Sequence, residues 1–334
     1  MSTAIKERNN NVDVIRVVAA VLVMVSHAYN FAENTNRDII VKLSRGTYSL
    51  GGVCVCVFFL FSGYFIHRSL LHNDSGTEYF KKRIKRLFPA FVLVTALIAF
   101  VMGPCITTLS LREYFTHPAT YRYMLNCIFI TQHSLPGVFE NNIYGTVVNG
   151  PIWTIKVEFV CYIIAYMLHR VKADTKKRSL CVAVLFGAVT FWMGQYTTQY
   201  HLFNSFMLPV SVFLTGMALS SNREKIQYNL LVVIAVLVGM AVFMRAGFPL
   251  AALMAGMPYV VMYLAFGIKQ CPFKIYECSY EMYLWGGALQ QLVTSLFGGS
   301  MSPYLNMAVA IPAAYVMAVV TKKVIKKAEC LHFM

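Results

Sequence analysis

The chain of 334 residues is 58% hydrophobic and only 13% charged, with a formal net charge of +15. Soluble domains carry about 25% charged residues, so this composition points to lipid rather than water as the main solvent. The basic residues sit in short clusters between long apolar runs, and no Gly-rich phosphate loop, zinc-finger spacing or DNA-reading basic helix occurs, which excludes nucleic acid as a partner.

A helix needs about 17–25 apolar residues to cross a bilayer. In chain order the sequence predicts ten spans, at about 12–31, 49–67, 87–103, 151–169, 179–197, 203–220, 229–244, 250–268, 277–297 and 304–321. The run at 229–244 is short. Between 104 and 150 the pattern is mixed, and its piece "YMLNCIFIT" is too short to span. It is expected as an interfacial or re-entrant helix, followed by a loop rich in Gly and Asn. With the N-terminus inside, the inner segments hold 21 Lys and Arg and the outer ones 6. That bias predicts both termini in the cytoplasm; one more span in the middle region would swap every later loop and erase it. The expected fold is an all-α polytopic membrane protein of about ten transmembrane helices, forming a single integral-membrane domain over residues 1–334. The first span is too long for a signal peptide and lacks a small-residue cleavage site, so it is expected to be retained. Nine cysteines fall mostly within apolar runs and form no C-x-x-C pair, so they are expected to be inert hydrophobes, with no metal site.

Polar residues inside these spans carry the functional signal. Arg16 and His27 in the first span are eleven residues apart, which puts them on one helix face roughly 16–17 Å apart along the axis. A charge at mid-membrane costs about 2.5–3.5 kcal/mol on insertion scales. Either Arg16 snorkels to the inner headgroups and His27 rests at the outer interface, or both face a polar cavity. Ser62 and Gly63 fall near the inner end of the second span, where small residues also serve close helix packing. Arg83 and Arg86, three apart at the inner mouth of the third span, share a helix face. They serve orientation, and two adjacent guanidiniums also suit a polyanionic ligand such as a nucleotide phosphate. Lys156 and Glu158 in the fourth span point to nearly opposite faces, so each needs a partner on another helix. Tyr162 lies four residues on, on the face of Glu158. The ninth span opens with Glu277, Ser279, Tyr280, Glu281 and Tyr283.

With these segments in view, the chain resembles the membrane-bound acyltransferase family three, whose bacterial members O-acylate cell-surface glycans. The resemblance runs from Asp13 to about Leu292. It is carried by Arg16-x10-His27 within "D-x-x-R-x-x-A" and by "FF-x-x-SG-x-x-I" from Phe58 to Ile66. It continues through "R-x-x-R-L-x-P" from Arg83, "P-x-W-T-x-x-x-E" from Pro151 to Glu158, and "S-Y-x-x-Y-L-W" from Ser279 to Trp285. Two positions depart from the family pattern: Gly286 stands where many relatives carry a histidine, and Ile66 where Leu is usual.

The resemblance implies transfer of an acyl group, commonly acetyl from acetyl-CoA, to a hydroxyl of a glycan or lipid-linked saccharide at a bacterial inner membrane. It implies His27 as catalytic base and Arg16 as its essential partner. Arg83 and Arg86 would meet the donor's phosphates, Ser62 and Gly63 would line the donor channel, and Glu158 and Tyr280 would shape the site. Tyr162 and Glu281 are supporting candidates, and no permanently bound cofactor is expected. By their places in the spans, His27 and Glu158 are expected toward the outside, and Arg16, Ser62, Gly63, Arg83 and Arg86 toward the cytoplasm. The alternative is a secondary transporter of a small polar or anionic solute; such proteins often show inverted repeats, and no such symmetry is visible between the halves.

Overall fold

The structure, a computed structural model, describes residues 9–33, 37–72, 75–196 and 206–331. Among the described residues every regular element is helical, and ten α-helices have 14 residues or more. They are α1 Asn10–Glu33, α2 Leu50–Leu70, α3 Gly76–Leu97, α4 Trp153–Arg170, α5 Lys176–Tyr196, α6 Leu208–Ser221, α7 Leu230–Arg245, α8 Pro249–Met262, α9 Ser279–Leu296 and α10 Pro303–Leu331. One stands at each predicted span. Residues 203–205 and 197, at the edges of two of those spans, lie outside the described residues.

Seven of these helices are long and apolar enough to cross a membrane: α1, α2, α3 with its continuation to Ile106, α4, α5, α8 with its continuation, and α10. The helices α6 and α7, of 14 and 16 residues, are only about 21–24 Å long at 1.5 Å per residue. The 18 residues of α9 are long enough but carry Glu281, Gln290 and Gln291. The third helix begins eleven residues before the expected span, because Lys81 to Arg86 are good helix formers and extend α3 through the basic cluster.

Local signals set several helix starts. The Ser49 hydroxyl accepts from Gly52 N at 3.0 Å to cap α2, and Asn229 Oδ1 accepts from Leu231 N at 2.8 Å to cap α7. α3 runs on through a π-turn at Ile98–Met102, which frees carbonyls from the regular ladder. One of them, Ala99 O, takes the Tyr114 hydroxyl at 2.7 Å. Gly103 leaves room for that ring, since a Cβ there would lie 2.0 Å from Tyr114 Oη.

The closest helix pair is α2 with α6. A Cβ on Gly63 would sit 2.0 Å from Phe213 O, and one on Gly216 would sit 2.2 Å from Leu60 O. The two glycines let the backbones touch, as small residues do between membrane helices. α1 packs on α2, α9 and α10. Near one end of α1, Arg16 and Lys322 of α10 share Glu277; near the other, Ala32 O accepts from Met301 N at 3.1 Å. The first and last helices are therefore antiparallel.

The mixed region folds as the short helices Leu111–Thr116 and Pro118–Arg122, a 3-10 turn Tyr123–Ile128, and an irregular segment. It forms a cap tied to α9 by amides. Gln291 Nε2 donates to Gly145 O and Val147 O, Asn142 Nδ2 donates to Gln291 O, and Asn149 Nδ2 donates to Leu284 O, all within 3.0 Å. The two Gln291 bonds satisfy partly buried loop carbonyls, and the two asparagines return bonds to carbonyls of α9.

Candidate active site

The predicted residues fall into three groups. In the first, the Ser62 hydroxyl on α2 donates to Glu158 Oε1 on α4 at 3.2 Å, and the Tyr162 hydroxyl donates to the same oxygen. The i,i+4 spacing of Glu158 and Tyr162 makes their meeting a consequence of the helix itself. Arg83 is buried against this group: its Nη2 donates to Ser69 Oγ at 2.9 Å, and its guanidinium lies 5.5 Å from the Tyr79 ring and 6.0 Å from the Tyr162 ring. Arg83 Nε is a buried N–H with no hydrogen-bond partner among the described residues. Arg86, one turn on, leaves its side chain exposed although protein groups surround it. The Tyr280 hydroxyl on α9 donates to Leu87 O at 3.0 Å, joining α9 to α3 here.

The contact with Ser62 corrects the expected depth of Glu158. Ser62 lies eight residues before the Leu70 end of α2, so Glu158 stands at the depth of Ser62, where the sequence sets the two toward opposite sides. Gly63 packs against the α6 backbone at Phe213 and Met217, which leaves Ser62 as the polar member of the pair.

The second group surrounds Arg16. Its Nη1 is 3.4 Å from Glu277 Oε1; Lys322 Nζ lies 3.0 Å from Glu277 Oε2 and 3.6 Å from Glu281 Oε2. Glu277 precedes α9 and lies outside the membrane-spanning helices. Burial alone would push its carboxyl up, but Arg16 and Lys322 overcome this and hold it at about 2. Beside the group, Asp13, Tyr276, Glu277, Lys322 and Lys326 line an open cavity of about 180 Å³.

The third group is His27. Its ring stacks on Phe31 at 5.5 Å, and Phe31 meets the Tyr144 ring edge-on at 4.6 Å. The ring is half-buried among protein groups, and neither nitrogen has a hydrogen-bond partner among the described residues. The buried His67 differs: its Nδ1 lies 3.0 Å from Ser220 Oγ, and its Nε2 lies 4.0 Å from Asp174 Oδ2. One turn below His27, Met24 packs against Gly286, where a Cβ would lie 3.1 Å from Met24 Cγ. Gly286 thus brings α9 close to α1, and Gln290 Nε2 fastens the approach by donating to Met24 O at 2.7 Å.

Arg16 and His27 do not touch each other, and Lys156 is exposed with no ionic partner among the described residues. Lys156 sits in the first turn of α4, so it needs no cross-helix carboxylate. Four contributors escaped sequence reasoning. Lys322 counts only as an inside-positive residue, Asp38 is one loop acid among others, and Gln290 and Gln291 were a usable signal as paired amides inside an apolar span.

The family model described as an acyltransferase domain matches residues 9–322. The chain belongs to this acyltransferase family. Among relatives, an "O-acetyl transferase" of Shigella phage Sf6 is 35% identical over 157 residues, covering 47% of this chain and 45% of that protein. "Nodulation protein 10" of Rhizobium leguminosarum bv. viciae is 26% identical over 204 residues, covering 59% and 54%. The chain spans about half the length of the curated relatives it matches. No solved structure matches it. The family match contains all five motifs, and Arg16, Ser62, Arg83, Glu158 and Tyr280 line up within it as two charged groups joined by α9.

Proposed function

We propose that the chain is a transmembrane O-acyltransferase that moves an acetyl group from cytoplasmic acetyl-CoA to a hydroxyl of a cell-surface or lipid-linked glycan, at a bacterial inner membrane. The observation that carries this reading is His27, an imidazole whose nitrogens have no hydrogen-bond partner among the described residues, on the same helix as a charged cluster at the opposite end. Counting 1.5 Å per residue, Ser62 lies ~12 Å from the inner end of α2 and His27 ~25 Å from the inner end of α1. The donor enters at the inner mouth, with its phosphates on Arg83 and Arg86. The orphan Arg83 N–H and the open Arg86 side chain suit an oxyanion ligand. Its thioester arm reaches past Glu158 toward His27, where the acceptor hydroxyl arrives from the outer side.

In the transfer step a ring nitrogen of His27 takes the hydroxyl proton while the acceptor oxygen bonds to the thioester carbonyl carbon. The C–S bond breaks, and the departing sulfur takes the proton back from the imidazolium. Imidazole suits this work because its ordinary pKa is close to working pH, and a positioned base contributes about 10²–10⁴-fold. Ten spans with both termini cytoplasmic agree with the antiparallel first and last helices, which require an even number of crossings. The whole chain acts as a single integral domain. The test is CoA release by purified protein given acetyl-CoA and candidate glycans, with mass spectrometry of the glycan. Acetyl transfer that depends on the glycan supports the reading, and its absence with every surface glycan of the host strain removes it.

A further inference from the structure

Asp38 follows α1 on the side of His27. Its side chain is buried, at 3% exposure, and its carboxylate takes three hydrogen bonds. Ser26 Oγ donates to Oδ2 at 2.6 Å, Leu50 N to Oδ2 at 2.8 Å, and Val41 N to Oδ1 at 2.8 Å. The donors come from α1, from the first residue of α2, and from the short helix Ile39–Leu43 that Asp38 caps. Ser26 is the residue before His27, and it is pinned from the other side, since a Cβ on Gly51 of α2 would lie 3.3 Å from Ser26 Cβ and Oγ. An exposed Ser or Asn would cap a five-residue helix equally well. A buried full charge is costly unless hydrogen bonds or a counter-charge offset it, and three donors converge on this one.

We propose that Asp38 is a positioning residue for acyl transfer: it holds the outer turns of α1 through Ser26, fixing the His27 ring, and stabilises the imidazolium formed when His27 takes the acceptor proton. The proposal rests on the role given to His27 above. Asp38 reaches His27 through Ser26, its neighbour on α1. It does so without touching the ring, which leaves both nitrogens to the substrate. This arrangement differs from a carboxylate bonded directly to a catalytic imidazole, because here the hydrogen bonds go to backbone and serine while only the charge reaches the ring.

The experiment compares wild type with Asp38→Asn, Asp38→Glu and Ser26→Ala in the full chain. It measures kcat and KM for acetyl-CoA, the melting temperature in detergent, and the rate at which diethylpyrocarbonate modifies His27, followed by peptide mass spectrometry. Asp38→Asn keeps the shape and the Val41 cap, removes the charge, and puts an NH₂ donor in place of the Oδ2 that accepts from Ser26 and Leu50. It is expected to lower kcat about tenfold or more with KM for acetyl-CoA unchanged. Asp38→Glu recovers part of kcat, and Ser26→Ala costs about threefold. The His27 modification rate changes by about threefold or more in Asp38→Asn, while exposed His133 reacts as in wild type. A kcat within about twofold of wild type overturns the proposal. So does a loss that follows the melting temperature while His27 reactivity stays unaltered. If wild type releases no CoA, the acyltransferase reading fails on its own, and unchanged His27 reactivity in Asp38→Asn removes the positioning role independently.

Discussion

Arg16 on α1 and Glu277 ahead of α9 form an ion pair of 3.4 Å, and Lys322 on α10 shares the same carboxylate at 3.0 Å. The guanidinium is therefore committed to a carboxylate rather than to His27, and it acts by tying α1, α9 and α10 together at one end of the bundle. Arg16→Ala leaves Glu277 largely buried with one cation and should lower stability by about 1–3 kcal/mol. The double exchange Arg16→Glu with Glu277→Arg should recover most of the melting temperature and turnover to within about tenfold of wild type. Recovered stability with no recovered turnover would show that Arg16 contacts the donor. A depressed carboxyl stabilises the fold above its unfolded value and stops doing so as pH falls through its folded value. Glu277 at about 2 thus gives its full contribution above roughly pH 4.5 and loses it toward pH 2. Glu277→Gln should flatten that part of the stability profile, measured by detergent melting.

The two arginines of α3 should separate cleanly. Arg83 is buried, bonded to Ser69 and set over Tyr79 and Tyr162, whereas the Arg86 side chain is open. Arg86→Ala should raise KM for acetyl-CoA about tenfold with an unchanged melting temperature. Arg83→Ala should raise KM and also lower the melting temperature, since it empties a packed site. Equal effects of both on stability would contradict the placement.

Gly63 offers a test of structure apart from catalysis. A methyl at this position meets the Phe213 carbonyl at 2.0 Å, and backbone cannot step aside as a flexible side chain would. Gly63→Ala should cost about 1–3 kcal/mol, seen as reduced yield and melting temperature. Ser62→Ala, next to it, removes only the bond to Glu158 and should cost about 1 kcal/mol. A stable Gly63→Ala would mean that α2 and α6 are not in backbone contact.

Glu158→Gln keeps the length of the side chain and removes its charge from the group formed by Ser62, Tyr162, Arg83 and Arg86. Turnover with acetyl-CoA should fall about tenfold or more while the protein stays folded. An unchanged kcat would limit Glu158 to joining α2 and α4.

The helices were legible because apolar runs of spanning length have few other solutions, and each predicted span holds one. The start of α3 was missed because charged helix formers such as Lys81 and Lys82 look like loop when hydropathy alone is read. Among the site residues, Arg16, His27 and Glu158 stood out by the cost of polarity in lipid, and the pairing of Glu158 with Tyr162 followed from their spacing. What the sequence could not supply were partners distant along the chain: Glu277 for Arg16, Ser62 for Glu158, Asp38 for Ser26. Hydropathy has no term for these, because a carboxylate in a loop looks the same whether it faces water or a neighbouring helix. The amides Gln290 and Gln291 were visible, yet their task of holding α1 and the cap emerges only from tertiary contact.

The central claim is that His27 takes the proton of the acceptor hydroxyl. Its most direct test is single-turnover transfer of labelled acetyl from acetyl-CoA to the glycan by purified wild type and His27→Ala, with folding of both checked by detergent melting. The account predicts a folded His27→Ala protein whose transfer rate is lower by about 10²-fold or more. A folded variant that transfers acetyl at a rate near wild type would contradict it.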